Sequence, residues 1–426
     1  MTIPSTHTGP ALDSLNGLSV GDALGAQMFV PETARAHLAA RTEPPGPWPW
    51  TDDTEMACSV HAAHTERGAI DTFDLTHAFA LRHDFDRGYG PAANRLLRLV
   101  REGGDARRLA AELFDGQGSY GNGAAMRVAP LGAAYAEDPA AVVRPAADTA
   151  VITHTHPQAV DGAIAVAVAA AYAVRARARA EATTPEAFLA AVADLTPNGA
   201  VRDGLEEARG LLARPDFRLA AQVLGNGSRT SAADTVPYAL WCAARNLADY
   251  RTAVWEAVAA GGDMDTVAAI TGGVVAAHTG TGGIPRAWLA AREPLPAWAF
   301  PEPGGVRAAG EPHLTPIRLP RPYPVPDLLW SDADWERIRR GLRARDMDER
   351  WVSVVSEGVL HLHRGVGGAE VYRVRVARVR GGWRPVEALV EAHPGRHRAW
   401  DDRTTLPAVL GLARLGYEPL RAGLRP

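Results

Sequence analysis

The chain has 426 residues, enough for more than one domain, and its 46% hydrophobic and 22% charged content is that of a globular protein. A formal net charge of -4 neither recruits nor excludes a polyanion, and because no Lys occurs, all 45 basic residues are Arg. That skew, with abundant Ala, Gly and Pro, reads as coding bias and not as a phosphate-binding signature.

Only Cys58 and Cys242 occur, without CxxC spacing, which predicts two buried thiols in a reducing compartment. The N-terminal MTIPSTHTGP lacks a basic start and an apolar run. The longest greasy region, 163–174, is too short to span a bilayer. The expectation is a cytoplasmic protein with no membrane partner.

In chain order, residues 12–295 read as helices broken by Gly-rich loops. Helical length or spacing marks 159–180, 185–195, 232–246, 251–260 and 266–277. Prolines crowd 294–326, so 296–330 is expected to be a linker or an extended strap. Beyond it, 331–426 reads as a small α+β domain. Ser331 caps a helix over 332–344 with Asp334 three residues on, strands run over 351–356, 359–364 and 371–379, Gly365 to Gly368 form a turn, and a helix over 406–415 closes the chain.

Two acidic clusters stand out, Thr51-Asp52-Asp53-Thr54 before a helix over 55–63 and Asp263-Met264-Asp265-Thr266 after Gly261-Gly262. Either alone is ordinary helix capping and dipole matching. Paired, they offer the all-oxygen supply a hard cation needs. Two carboxylates about 4 Å apart repel by roughly 4 kcal/mol at an effective dielectric of about 20. The clusters are therefore either far apart and bland, or convergent on metal.

The order Gly21-Asp22-Ala23-Leu24-Gly25, Thr51 to Met56, Arg87-Gly88-Tyr89-Gly90, Gly118 to Arg127, Thr153-His154, Gly225-Asn226-Gly227, Asp234 to Pro237 and Gly261 to Thr266 resembles the ADP-ribosylglycohydrolase family. TDDT with GGDxDT is the specific part. The resemblance implies an all-α orthogonal helical bundle with a binuclear Mg²⁺ centre (Mn²⁺ a substitute) held by Thr51, Asp52, Asp53, Asp263, Asp265 and Thr266. In that family the ions engage the ribose beside the scissile bond and orient a water, and the C1″ bond from ADP-ribose to its acceptor is hydrolysed through an oxocarbenium-like state.

Gly118, Ser119, Tyr120, Gly121 and Asn122 correspond to the family's phosphate and ribose cradle, where glycines let backbone N–H groups converge on a diphosphate. Tyr120 is either a stacking residue or a packing plug. His154 is expected near the diphosphate or ribose as a donor and not a metal ligand, Met126 and Arg127 are structural, and Asp22 is a helix-start or supporting residue. Asp86 and Tyr89 belong to a loop that either lines the pocket mouth or makes a surface turn.

Some members, notably serine-linkage hydrolases, carry a Glu four residues past the glycine matching Gly25. Here that position is Phe29. The departure moves the general base onto Asp53 or Asp263 and favours arginine-linked protein over serine. A small-molecule or nucleic-acid acceptor, the latter unsupported by composition, an antitoxin or immunity role, and a non-catalytic ADP-ribose binder are the alternatives. His361 and His363 share one strand face, either a half-exposed surface or a phosphate or partner contact.

Overall fold

Gly17, Gly21 and Gly25 recur every fourth residue, so they form one side-chain-free stripe on the helix Pro10–Ala26. Against it lies the helix Met264–Thr279, itself rich in Ala and Gly. A Cβ on Gly17, Gly21 or Gly25 would fall 2.3, 2.1 or 2.5 Å from the carbonyl oxygens of Gly272, Ala268 and Met264. The two backbones therefore touch, and this pair is the axis of the first unit.

The computed structural model describes residues 9–29, 31–179, 183–300, 316–342, 351–364, 368–392 and 402–416. They divide into two compact units, 1–96 with 106–305, and 97–105 with 306–426. The first is helical, as expected. Helices Asp52–Arg67, Pro157–Arg179, Ala232–Arg245 and Tyr250–Ala259 pack around the axis. Pro157–Arg179 has the length and composition to cross a membrane, longer than its apolar stretch alone suggests, yet 83% of its most apolar window is buried within the protein. Both cysteines are free and buried.

The stretch leading to Thr51 is strapped down. The Trp48 N–H donates to Ala291 O (2.7 Å), the Glu293 N–H donates back to Trp48 O (2.9 Å), and the Trp48 ring meets Trp288 edge-on. Arg87 stacks 3.5 Å over the Trp50 ring and donates to both carboxylate oxygens of Glu293 (2.7 and 2.8 Å). A planar guanidinium suits both contacts at once.

The second unit is a five-stranded antiparallel sheet in the order β1-β5-β4-β3-β2, with β1 Pro320–Tyr323, β2 Trp351–Ser356, β3 Val359–Arg364, β4 Glu370–Val379 and β5 Gly382–Glu391. Trp335 and Ile338 of helix Asp332–Arg339, and Leu406, Val409 and Leu410 of helix Asp402–Leu415, join Leu360, Leu362, Tyr372, Val374 and Val390 in one core. Ser331 and Asp334 make the reciprocal capping box that their spacing predicts.

Three departures from expectation are found. β1 lies inside the stretch expected to be linker, because prolines at 320 and 322 alternate and fit an edge strand. β5 was not expected. It carries Pro385 opposite Val376, next to a register shift that accommodates a missing donor. The helix expected over 332–344 stops at Arg339, with Gly341 in left-handed backbone at φ 77°. The expected turn over 365–368 lies outside the described residues except for Gly368.

His361 is partly exposed, as a half-exposed strand face would be, whereas His363 is buried. Nδ1 of His361 pairs with Glu370 Oε1 at 2.7 Å, and His363 is buried with Nδ1 3.0 Å from Gly368 O. Glu370 also receives Arg373 (2.9 and 2.6 Å) and the Ile317 N–H (2.9 Å). Burial works against its charge, but these donors outweigh it and bring its pKa down to about 2.

Candidate active site

Thr51 is the N-cap of helix Asp52–Arg67, and Asp263 occupies the same position for Met264–Thr279. The Thr51 hydroxyl accepts the Asp53 N–H as a cap does, whereas the Asp263 side chain makes no capping hydrogen bond. The touching axis and the strapped entry then bring the two helix starts together. Asp53 Oδ2 lies 3.2 Å from the Thr51 hydroxyl and 3.5 Å from the Thr266 hydroxyl, 213 residues away in sequence. The alternative of distant, bland clusters is excluded by that contact.

Asp22, read from sequence as a supporting residue, is at the centre. It is fully buried in the middle of the axis helix. Its carboxylate accepts the Thr51 N–H (3.0 Å), the Thr51 hydroxyl (2.8 Å), the Thr54 N–H (3.2 Å) and the Thr54 hydroxyl. It therefore pins the first cluster to the axis. Oxygens of Asp22, Asp53 and Asp265 also come within 4.8 Å of one another, a grouping able to hold a metal ion. Its burial comes from packing and is not marked by the glycine stripe, which runs through Gly17, Gly21 and Gly25 and not through Asp22.

Burial and crowding set the charge state. Burial, then the neighbouring Asp22 and Asp263, push Asp52 up to about 8, and burial pushes Asp22 up to about 6. Burial, then carboxylate neighbours, hold Asp53 and Asp265 well above the usual carboxylate range. Asp53 Oδ1 is buried without a hydrogen-bond partner. A buried carboxylate oxygen left unpaired is costly, and a cation is the partner this donor set fits.

The cradle reaches the second cluster through Asn122. Its Nδ2 donates to Asp263 Oδ2 (2.7 Å) and to the Thr235 hydroxyl (3.0 Å). Ser119 Oγ accepts the Gly121 N–H (3.2 Å), and Gly118 packs against the Thr155 side chain. Tyr120 is 44% exposed, which excludes a packing plug, and its ring lies 6.0 Å from Phe114, itself 51% exposed. Phe114 was missed in the sequence because no motif contains it; its left-handed backbone (φ 52°) turns it toward Tyr120.

His154 is nearly buried beneath the cradle. A Cβ at Gly121 or Gly123 would fall 3.3 or 3.0 Å from its Nε2, so both glycines leave room for the imidazole. Burial, then Arg127, brings its pKa down to about 3. The Arg87–Gly90 loop stands beside the first cluster, since a Cβ on Gly88 would lie 3.9 Å from Asp52 Oδ1. Just before it Asp86 is exposed, while within it Tyr89 is buried and donates its hydroxyl to Glu55 Oε1 (2.6 Å), which also accepts the Asp84 N–H (3.1 Å). Phe29 is 49% exposed.

Convergent carboxylates beside a glycine cradle and a half-exposed aromatic pair are the outline of a glycosidase for a nucleotide sugar. The sequence model described as ADP-ribosylglycohydrolase matches residues 5–302, and the chain belongs to that family. It is 32% identical to ADP-ribosylhydrolase ARH3 of Bos taurus over 272 residues, 56% of this chain and 73% of that protein. It is 34% identical over 169 residues to the ADP-ribosyl-[dinitrogen reductase] glycohydrolase of Rhodospirillum rubrum, 37% of this chain and 55% of the relative. A solved structure, an ADP-ribosylglycohydrolase-related protein complex, aligns at 30% identity and TM-score 0.49 over 67% of this chain and 92% of its own. The chain is accordingly a hydrolase of glycosidic bonds, with an acidic cluster able to hold metal.

Proposed function

We propose that this enzyme reverses ADP-ribosylation in the cytoplasm by Mg²⁺-dependent hydrolysis of the bond between C1″ of ADP-ribose and an arginine side chain of a protein. Thr51, Asp52, Asp53, Asp263, Asp265 and Thr266, with Asp22 added, would hold two ions, and Mn²⁺ would substitute. The observation that carries the reading is the unpaired, buried Asp53 Oδ1 within that set. When bound, such ions supply positive charge at the ribose and make water a better nucleophile.

The remaining roles belong to the chain's own side chains. Asp263 is partly exposed and oriented by Asn122, so it takes the proton of the attacking water, whereas Asp53 is buried and serves the metal. The Gly118–Asn122 backbone and His154 hold the diphosphate and ribose. Tyr120 and Phe114 offer an aromatic platform for the base, with an expected stacking contribution of about 1 kcal/mol. The arginine preference rests on Phe29, which puts no carboxylate at the position of the serine-linkage glutamate.

The test is release of free ADP-ribose from a panel of arginine-, serine- and other-linked substrates in Mg²⁺ and in EDTA. Release from the arginine substrate in Mg²⁺ alone is expected. Metal binding without release from any linkage would leave a non-catalytic ADP-ribose binder. Equal release in EDTA would exclude the metal role.

A further inference from the structure

Arg127 is fully buried, and no motif chemistry accounts for a cation there. Its Nη2 donates to Thr149 O (2.8 Å) and to the Thr153 hydroxyl oxygen (3.0 Å), its Nη1 lies 3.4 Å from Met56 Sδ, and it sits 4.6 Å over the Phe79 ring. Thr153 Oγ1 is in turn 2.7 Å from Nδ1 of His154. Met56 lies on the helix begun by the first acidic cluster, so this chain of contacts runs from beside the metal ligands to the cradle.

The donors and acceptors in this chain leave one arrangement. A guanidinium only donates, so Thr153 Oγ1 accepts from Arg127. Thr153 is buried, so its own hydroxyl proton needs an acceptor, and among the described residues the one it meets is His154 Nδ1. Nδ1 is therefore an acceptor, and the neutral imidazole carries its proton on Nε2. That nitrogen is the one lying between Gly121 and Gly123, at the cradle.

We infer that Arg127 and Thr153 are positioning residues that lock His154 into its Nε2–H tautomer, so that it presents a donor to the diphosphate. The ligand part of this inference rests on the cradle reading proposed above. The tautomer part does not. The opposite tautomer would aim a lone pair at an anion and repel it. Because the donor is a neutral N–H, binding does not require protonation of the imidazole.

Selective ¹⁵N-histidine labelling of the full chain, with His154→Gln to assign the signal, reads the tautomer directly. The Nε2–H form is expected in the wild type, and the Nδ1–H form would overturn the inference whether or not ADP-ribose binds. Thr153→Val keeps the shape and deletes the hydroxyl, and Thr153→Ser keeps the hydroxyl. The valine variant is expected to bind ADP-ribose about tenfold more weakly and to raise KM similarly with kcat changed less than threefold; the serine variant restores both. Wild-type affinity in a valine variant that melts normally would defeat the positioning role. Should the valine variant not fold, the wild-type spectrum still decides the tautomer. Failure of the wild type to bind ADP-ribose would sink the cradle reading, separately from the spectrum.

Discussion

Asp52 and Asp53 sit next to each other in sequence but do different work. Asp53 is 2% exposed and has an oxygen with no protein partner, while Asp52 stands beside the Gly88 loop. Replacing Asp52 with Asn keeps the shape and removes the charge, so it is expected to abolish the rise in melting temperature that Mg²⁺ produces. An unchanged Mg²⁺ shift in that variant would refute the ligand assignment. Asp263→Asn should instead keep part of the metal shift and lower kcat by about 100-fold or more, the scale of a lost general base. Full activity in that variant would return the base role to Asp53. At this scale the motifs named residues that the structure brings together, Asp53 with Thr266 and Asn122 with Asp263. It undervalued Asp22 because a lone Asp in a helix has many ordinary explanations, and its burial is a tertiary fact. Phe114 and the Thr153 relay were invisible for the same reason: their meaning lies in what they touch.

The element that sets the site is the pair Pro10–Ala26 and Met264–Thr279. Gly21→Ala would drive a methyl to 2.1 Å from the Ala268 oxygen, and the helices must part to admit it. The expected cost is about 3 kcal/mol, the upper part of the range for overpacking, read as a lower urea midpoint with unchanged slope. Gly25→Ala meets Asp265 itself, at 2.5 Å from its Cα, so it should reduce Mg²⁺ affinity beyond what its stability loss explains. Wild-type Mg²⁺ affinity in Gly25→Ala would show that the axis does not set the ligand geometry. The long helices were legible because their periodicity and Ala content are local properties. β1 and β5 were not, since each carries proline and takes its strand form from the partner beside it.

For the whole molecule, charge and pH tie folding to metal. Asp22 and Asp52 are raised from 3.8 to about 6 and about 8. A carboxyl raised on folding stabilises the fold while protonated, so the metal-free protein is steadied below the unfolded value and loses that contribution as pH rises through 6 and then 8. Cations need the deprotonated forms, so apparent Mg²⁺ affinity should climb from pH 6 to 8 with proton release. Calorimetry in buffers of different ionisation enthalpy measures this, and a pH-independent affinity would contradict it. Glu370 in the second unit has the opposite sign. Lowered from 4.5 to about 2, it contributes stability above 4.5 that is lost as pH falls toward 2. Glu370→Gln should remove that acid sensitivity and cost about 2 kcal/mol at neutral pH, less than a fully buried pair because Arg373 is one-third exposed.

The stripe of Gly17, Gly21 and Gly25 has a consequence for anyone wishing to redesign this enzyme. Where main chain meets main chain, as Gly21 meets Ala268 and Gly25 meets Met264, there is no side chain to swap for a slightly larger or smaller one. The separation of the two axis helices is set by backbone atoms, and the Asp22 carboxylate ties the first acidic cluster to them. Directed evolution toward new acceptors should therefore harvest its gains from the rim, at Phe29 and the Arg87–Gly90 loop, and find the axis silent.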